Sequence, residues 1–535
     1  MLDIFLYINT IKHLKLKQIW FQLWKRFGVY SSLINRYRGH YNPESIIFFP
    51  PMESLDYDSD FLNRFSVDEL MENYITLLHS TVVLDLNGSW VAETRSPLWN
   101  LNLHYFEYLF AIAKEYQKEA ETKYLQKIKE YILCWIKCNP IGSNKYAWDP
   151  YSVSLRLSNW IDLYMLLREE FGRDRGFICI FLGSLYEQYV YLINHIENHL
   201  LANHLFENLR TIVIASVFFN EKDVCAISTK HLLNQCKEQF FCDGVHYERS
   251  PMYQKLLLED LLRVENALEF DGNKNDEIRM YINKVLDVSF SFEKGMERLP
   301  LFNDCGKNIS KSLDALVCAS NKLGISPKKK KSFSDGGYYI FEFGKEGEWR
   351  LLVDAGQPGP DFSPGHSHCE IMSFELFYKG FPVIVNCGTF AYQSEKREFF
   401  KSTKAHNTVQ VDAVEQSELW RDFRMARRAK IIALNVNDYS ISIIIKDYRH
   451  NRIKRSIIIE ENALVVTDES DNNNIKSFLH LADKRMMGRI QINQGSKIES
   501  RVPYAEEFGL LKEIMTYTIS GANRIWYTID IQGEV

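Results

Sequence analysis

The sequence predicts a helical domain followed by an antiparallel β domain, and three observations predict it. From about residue 100 to 325 apolar residues recur at helical spacing. After the lysine run at 328–331 they fall into short strand-like segments separated by turns. Helices grouped before strands, rather than alternating with them, point away from an interleaved α/β fold. The chain has 535 residues, enough for two to four domains with sizeable cores.

The elements follow in order. In the N-terminal segment Leu16, Ile19, Trp20, Leu23, Trp24 and Phe27 share one helical face, and Lys12, Lys15, Lys17, Lys25 and Arg26 surround it. A basic amphipathic helix of this kind suits a membrane surface, but the simpler expectation is that its apolar face packs on its own domain. Leu125, Ile128, Ile132 and Trp135 form the stripe of a second helix. Leu201, Leu205, Leu209, Ile212 and Phe219 mark a third, and Leu258, Leu261, Leu262 and Leu268 a fourth. In the second half YYIFEF, WRLLVDA, MSFELF, TVQVDA, YSISIII and NALVVTD read as strands. The boundary falls in NKLGISPKKKKSFSDGG, and the divisions expected are 1–90 as a helical extension, 91–328 as the helical domain and 329–535 as the β domain.

Composition excludes several classes. Lys and Arg number 64 against 69 Asp and Glu, a formal charge of −5, so no global positive charge draws in nucleic acid. Hydrophobic residues at 46% and charged residues at 25% are those of an ordinary globular chain. Aromatic residues at 14% favour packed cores and also the stacking surfaces that sugars use. The ten cysteines contain no CxxC pair, which favours free thiols in a reducing compartment over a disulfide framework. No transmembrane segment is expected, since no stretch approaches ~20 apolar residues. Asp3 precedes a short apolar run with no small-residue cleavage site, which makes a poor signal peptide.

Three segments carry candidate chemistry. In HLLANHLFENLR, Asn203 and Glu207 lie opposite the apolar stripe with His204 beside them, a polar set on the face away from the core. In DGVHYERSPMYQ, Ser250 is an N-cap and Pro251 suits the first helical position. Tyr253 then falls in the first turn, where the helix dipole and Arg249 would favour its phenolate. In PGHSHCEIMSFEL, His366, His368 and Glu370 share a face if the segment is a strand. The HxH pair with the distant His406 suggests a metal constellation.

Taken together, the stretches NLHYFEYL, WDPYSVSLRLSNW, NHLFEN, DGVHYERSPMYQ, GPDFSPGHSHCEIMSFEL, NCGTFAY and KAHNTVQVD resemble the heparinase II/III-like polysaccharide lyases, relatives of some alginate lyases. The resemblance covers roughly residues 90–430. It implies an α/α toroid (an incomplete barrel) followed by a β-sandwich, and β-elimination across a uronic-acid glycosidic bond in an acidic polysaccharide. It places Asn203 and His204 as neutralisers of the substrate carboxylate. It makes Tyr253 the base, the acid or both, and His366 a histidine reaching in from the sandwich. Glu207 and Arg249 would orient this set. It also implies a largely structural zinc on His368, His406 and a third ligand that is usually an aspartate. That third position is Asn386 here, so weak or absent zinc is expected. The competing expectations are a uronyl epimerase and a non-catalytic glycan-binding protein of polysaccharide assembly. Family resemblance points to the cell envelope, the poor signal peptide to the cytoplasm.

Overall fold

The computed structural model describes residues 2–533 apart from Asn473. The first half is helical apart from an antiparallel hairpin of Tyr74–Leu77 and Ser80–Val83. Long helices at Leu109–Glu119, Thr122–Cys138, Pro150–Leu166, Arg175–Asn194, Ala202–Phe218, Lys222–Gln239, Pro251–Phe270 and Asp276–Glu293 pack as successive hairpins into an incomplete α/α toroid. Side-chain oxygens of Ser96, Asp149, Asp174, Ser250, Asn275 and Ser312 accept from the first-turn amides of their helices and fix where each begins.

The Ala202–Phe218 helix runs through the middle of this domain. Every residue in it except His204 is buried. The polar face expected opposite the apolar stripe is therefore not a solvent face. Asn203 and Glu207 are covered nearly as thoroughly as Ile212, because neighbouring helices pack on both sides and the polar groups turn into an internal cleft.

The Arg175–Asn194 helix passes the length and composition test for crossing a membrane, contrary to the expectation that no segment comes near it. Its apolar character has another cause. Phe181, Leu185, Tyr189 and Leu192 are fully buried in the helical core.

The last helix of the first half, Leu313–Lys322, gives way to strands from Ser332 onward. Two antiparallel sheets follow. The larger runs in the order Ser496–Glu507, Leu510–Gly521, Ile475–Leu481, Phe381–Ile384, Phe374–Tyr378, Trp349–Asp354, Tyr338–Phe343 and Ser332–Phe333, with Val409–Val411 also paired to Ile475–Leu481. The smaller runs Ile490–Gln494, Arg524–Asp530, Ala463–Ser470, Arg452–Ile459, Ser440–Lys446 and Lys430–Asn437. Their inner faces share one core, in which Leu351, Leu376 and Leu479 of the larger sheet meet Ile443, Ile457 and Val466 of the smaller. Strict alternation is visible in Ala463–Ser470, whose even positions are buried while the odd ones are half-buried. Inside this sandwich Arg455 makes a two-pronged ion pair with Asp468 at 2.7 and 2.8 Å.

All ten cysteines are free. Because the central helix is packed on all sides, Ile212→Ala should lower the unfolding free energy by ~2–5 kcal/mol, read from the midpoint of urea denaturation. A change below ~1 kcal/mol would mean that the neighbouring helices close over the lost volume.

Candidate active site

A cleft of about 1010 Å³ lies between the helical domain and the loops of the sandwich. That is room for several sugar rings, at the upper end of ordinary ligand sites. Asn203, His204 and Glu207 line it from the central helix, Tyr253 from the Pro251–Phe270 helix, and His366 and Tyr392 from the sandwich.

The central helix presents its N-terminus to the cleft. Leu201 and Ala202 take backbone angles of positive φ, 63° and 52°, to turn the chain into it, which is costly for residues with a Cβ. Asn203 and His204 then occupy the first turn, where the helix dipole favours an anion. Asn203 has no side-chain hydrogen-bond partner among the described residues, so its amide is free for a ligand. His204 Nδ1 lies 3.1 Å from Glu197, and Glu197 is locked by Asn208, which donates to it at 3.2 Å. Burial alone would lower the His204 pKa, but the Glu197 carboxylate, with Asp149 and Glu248 behind it, raises it to about 9. His204 is therefore a cationic donor at neutral pH. Glu207 is buried behind this pair and accepts from Arg210 at 2.9 Å.

Tyr253 stands where its cap predicts, with its amide donating to Ser250 Oγ at 3.3 Å. Its ionisation is the reverse of the expectation. Burial, with Tyr392 and Glu248 nearby, pushes the hydroxyl well above its usual range. Arg249 gives no help, because its guanidinium turns away to donate to the backbone carbonyls of Gly336 at 2.8 Å and Gln357 at 2.5 Å. It ties the helical domain to the sandwich and does not line the cleft. The Tyr253 hydroxyl instead lies 2.7 Å from that of Tyr392, and its ring centroid is 4.7 Å from that of His366.

The HxH segment is not a strand. Pro364–His366 is a single helical turn, and the strand begins only at Phe374, so alternation does not explain how the histidines are held. Asp304 does. His366 Nδ1 and His368 Nε2 each lie 2.9 Å from its two oxygens, and Arg397 donates to both of those oxygens. Burial alone would raise the Asp304 carboxyl, but Arg397 and the two histidines hold it well below the usual carboxylate range.

Behind His366, His368 and His406 meet Glu370, with their ligating atoms all within 4.8 Å of one another. Asn386 takes another part. Its Oδ1 accepts from Ser373 at 2.7 Å and from the Asn407 amide at 3.0 Å. The tautomers follow from the partners. His368 Nε2 must donate to Asp304, and His406 Nδ1 must donate to the Ser402 carbonyl at 2.8 Å. Burial keeps both rings neutral, His368 at about 4 and His406 well below its ordinary value. The lone pairs of His368 Nδ1 and His406 Nε2 then face each other at 3.1 Å. Glu370 Oε2 lies 3.3 Å from His406 Nε2 with no N–H donor on it, and burial with the neighbouring Asp354 carboxyl pushes the Glu370 carboxyl well above its usual range. Three converging lone pairs suit a cation. Tetrahedral zinc with bonds of about 2.0–2.1 Å sets its donors about 3.3 Å apart, and the carboxylate and carbonyl behind the two rings are the usual outer partners of metal-bound histidines. The two spacings of 3.1 and 3.3 Å suit a zinc ion, and the candidate oxygen ligand is Glu370 rather than Asn386.

Asp304, Tyr392, Arg397 and Glu197 are the site residues that motif reading leaves out, while Glu370 is singled out with the HxH pair but not as a metal ligand. Tyr392 and Glu370 lie inside the stretches that carry the resemblance. Asp304 and Arg397 meet across 93 residues of chain, and no local pattern announces such a pair.

Comparison with known proteins decides the kinship of this chain. Residues 71–330 match the family described as heparinase II/III N-terminus, and residues 325–501 match heparinase II/III-like, C-terminal. The chain belongs to the heparinase II/III-like family. It is 24% identical over 364 residues to a heparin-sulfate lyase of Pedobacter heparinus, an alignment covering 61% of this chain and 54% of that protein. It is 22% identical over 399 residues to a heparin-sulfate lyase of Bacteroides thetaiotaomicron, covering 65% and 57%. The alignments thus span little more than half the length of these relatives. The fold is that of a crystal structure of heparinase III, with a TM-score of 0.69 at 16% identity over 96% of this chain and 89% of that one. A heparan sulfate lyase mutant from Pedobacter heparinus gives 0.58 at 18% identity, over 88% and 82%.

The His204 charge is open to direct measurement. A proton held by Glu197 stabilises the fold fully below the ordinary histidine pKa of ~6.5, and that contribution is lost as pH rises through about 9. The His204 ring should titrate near 9 by NMR, and Glu197→Gln should lower that midpoint, since burial is then opposed only by the Asp149 and Glu248 carboxylates. An unchanged midpoint would show that Glu197 does not hold the charge.

Proposed function

We propose that this protein is a polysaccharide lyase that cleaves a uronate-containing acidic polysaccharide by β-elimination. The observation that carries the reading is the pairing, in one cleft, of an anion site at a helix N-terminus with a histidine–tyrosine pair. Family membership and the heparin-sulfate lyase relatives support it. So do Arg421 and Arg424, which line the cleft and have no ion-pair partner among the described residues.

The chemistry assigns the groups. The proton beside a uronate carboxylate becomes removable only when the charge that builds on the carboxylate is held. Asn203 and cationic His204 would donate to it, aided by the helix dipole. His366, with Nδ1 committed to Asp304, offers Nε2 as the base. A Tyr253 hydroxyl pushed up by burial keeps its proton, which suits it to protonate the departing glycosidic oxygen. Tyr392 beside it can restore that proton. Glu207 orients the first turn from behind, while Arg249 is structural. Because acid and base stand together on one side, they serve removal and delivery on the same face. An epimerase must return the proton to the opposite face, so the arrangement favours elimination.

The test is incubation with a panel of acidic glycans, following the ultraviolet absorbance of a new conjugated double bond. Elimination should appear on at least one uronate polymer, and Tyr253→Phe should lower turnover ~10²–10⁴-fold with little loss of stability. Epimerised product without unsaturation, or tight glycan binding without turnover, would overturn the lyase reading.

We also propose that His368, Glu370 and His406 hold a zinc ion, which when bound would brace the loop carrying His366. Metal analysis of protein purified without added metal should find about one zinc per chain. Glu370→Gln should lower that content and the thermal midpoint together. Zinc-free protein with an unaltered midpoint would remove the site.

A further inference from the structure

The N-terminal helices are built inside out. Helix α1 spans Leu2–Ile11 and α2 spans Leu16–Arg26. The simple expectation, that the apolar face of α2 packs on the body, is reversed. Its polar face turns inward. Gln18 is buried at 3% exposure and donates to the carbonyls of Leu200 and Phe362 at 3.4 Å each. Lys25 Nζ lies 2.7 Å from His199 Nε2, and Lys15 Nζ 2.7 Å from Glu238. Gln18, Gln22 and Lys25 line one wall of the cleft.

The apolar face points out. Leu16, Trp20, Leu23, Trp24 and Phe27 are exposed at 85, 58, 50, 41 and 82%. At ~100° per residue these five occupy a sector of about 100°, so they form one stripe. Leu16, Ile19, Trp20 and Leu23 line a single shallow depression, and the Trp20 and Trp24 rings stand 5.5 Å apart. Helix α1 adds Ile4, Ile8 and Ile11, likewise exposed and on one side of that helix. A run of apolar side chains facing water is unfavourable and marks a contact surface.

Charge identifies the contact. Residues 12–26 hold five cations and no carboxylate; Lys15 and Lys25 turn inward to Glu238 and His199, which leaves Lys12, Lys17 and Arg26 on the outer side. On the helical wheel Lys17 borders the stripe on one side and Arg26 flanks it on the other, while Lys15 is turned to Glu238 on the body. Long cationic side chains flanking a Trp-, Phe- and Leu-rich face have the chemistry of the lipid interface, where rings and alkyl groups enter the acyl boundary and the amines meet phosphates.

We propose that α1 and α2 form a docking surface for a bilayer containing anionic phospholipid. Because the inner face of α2 is a wall of the cleft, docking would hold the cleft beside the lipid surface and present it to glycan carried there. The proposal stands on the helix faces and does not depend on the lyase reading.

Vesicle co-sedimentation of the full chain tests it, with phosphatidylcholine vesicles that either contain about one third phosphatidylglycerol or none. The protein should bind the anionic vesicles at low salt, bind the neutral ones at least about tenfold more weakly, and release as salt rises. Trp20→Ser with Leu23→Ser and Phe27→Ser should reduce binding about tenfold or more. These side chains are exposed, so circular dichroism should be unchanged. Lys17→Glu with Arg26→Glu gives an independent variant that leaves the apolar stripe intact and should weaken binding to anionic vesicles alone. Failure to bind anionic vesicles would overturn the proposal. So would equal binding by the triple variant, or a dimer in solution that buries this face and excludes vesicles.

Discussion

The site depends on one buried carboxylate. Asp304 lies in the segment between the Asp276–Glu293 and Leu313–Lys322 helices, yet its partners come from the sandwich. Both of its oxygens accept from Arg397, and each faces one histidine of the HxH pair. Its backbone takes part as well. The Asp304 carbonyl accepts from Ser250 Oγ at 2.6 Å and its amide donates to the His366 carbonyl at 3.1 Å. Ser250 caps the helix that begins Tyr253. A single residue thus fixes the start of the Pro251–Phe270 helix, the ring of the facing histidine and one ring of the metal-type cluster. A buried ion is tolerated only when its partners are complete. Here Arg397, two imidazoles and Thr389 provide them, the last at 3.3 Å.

This constraint also gives the two cleft histidines different partners. His204 answers to Glu197 and stays cationic. His366 answers to Asp304, whose charge is already shared with Arg397. The two rings thus answer to different carboxylates, although both line one cleft. Tyr253 completes the division, since burial keeps it neutral. Within one cleft the neighbours of each group, and not its residue type, set the charge of His204 and of Tyr253.

Much of the fold is legible in the sequence because it is local. The Ser250–Pro251 start, the Thr122–Cys138 stripe and the alternation of Ala463–Ser470 each follow from neighbours in sequence. Asn203, His204, Tyr253 and His366 are legible through motif resemblance, and the structure brings all four to one cleft. What fails are inferences that extend a local rule across a tertiary contact. The helix dipole suggests a phenolate at Tyr253, but desolvation is the larger effect. Arg249 is adjacent in sequence and turned away in space. Alternation would align His366 with His368, where a helical turn stands instead. The polar face of the central helix is legible as a set away from the apolar stripe, but the sequence does not reveal that helices lie on both sides of it and bury it. The same blindness applies to α2, whose amphipathicity is plain in sequence while the direction of its apolar face is not.

The metal-type cluster turns on where a carboxylate is placed. Family resemblance draws attention to position 386, where an amide is a poor ligand. In the structure that amide serves its own loop, with its oxygen taken up by Ser373 and Asn407. The carboxylate comes instead from Glu370, two residues beyond His368. Its other oxygen accepts from the Asn303 amide at 2.6 Å, beside Asp304, so one loop braces both Glu370 and the carboxylate behind His368. A buried carboxylate oxygen left unpaired against two imidazole lone pairs is costly in a dry interior. Only a proton or a cation relieves it. A proton on Glu370 can relieve one of those contacts but leaves the two ring nitrogens facing each other. A cation satisfies all three groups at once, and that difference is the physical case for metal at this position.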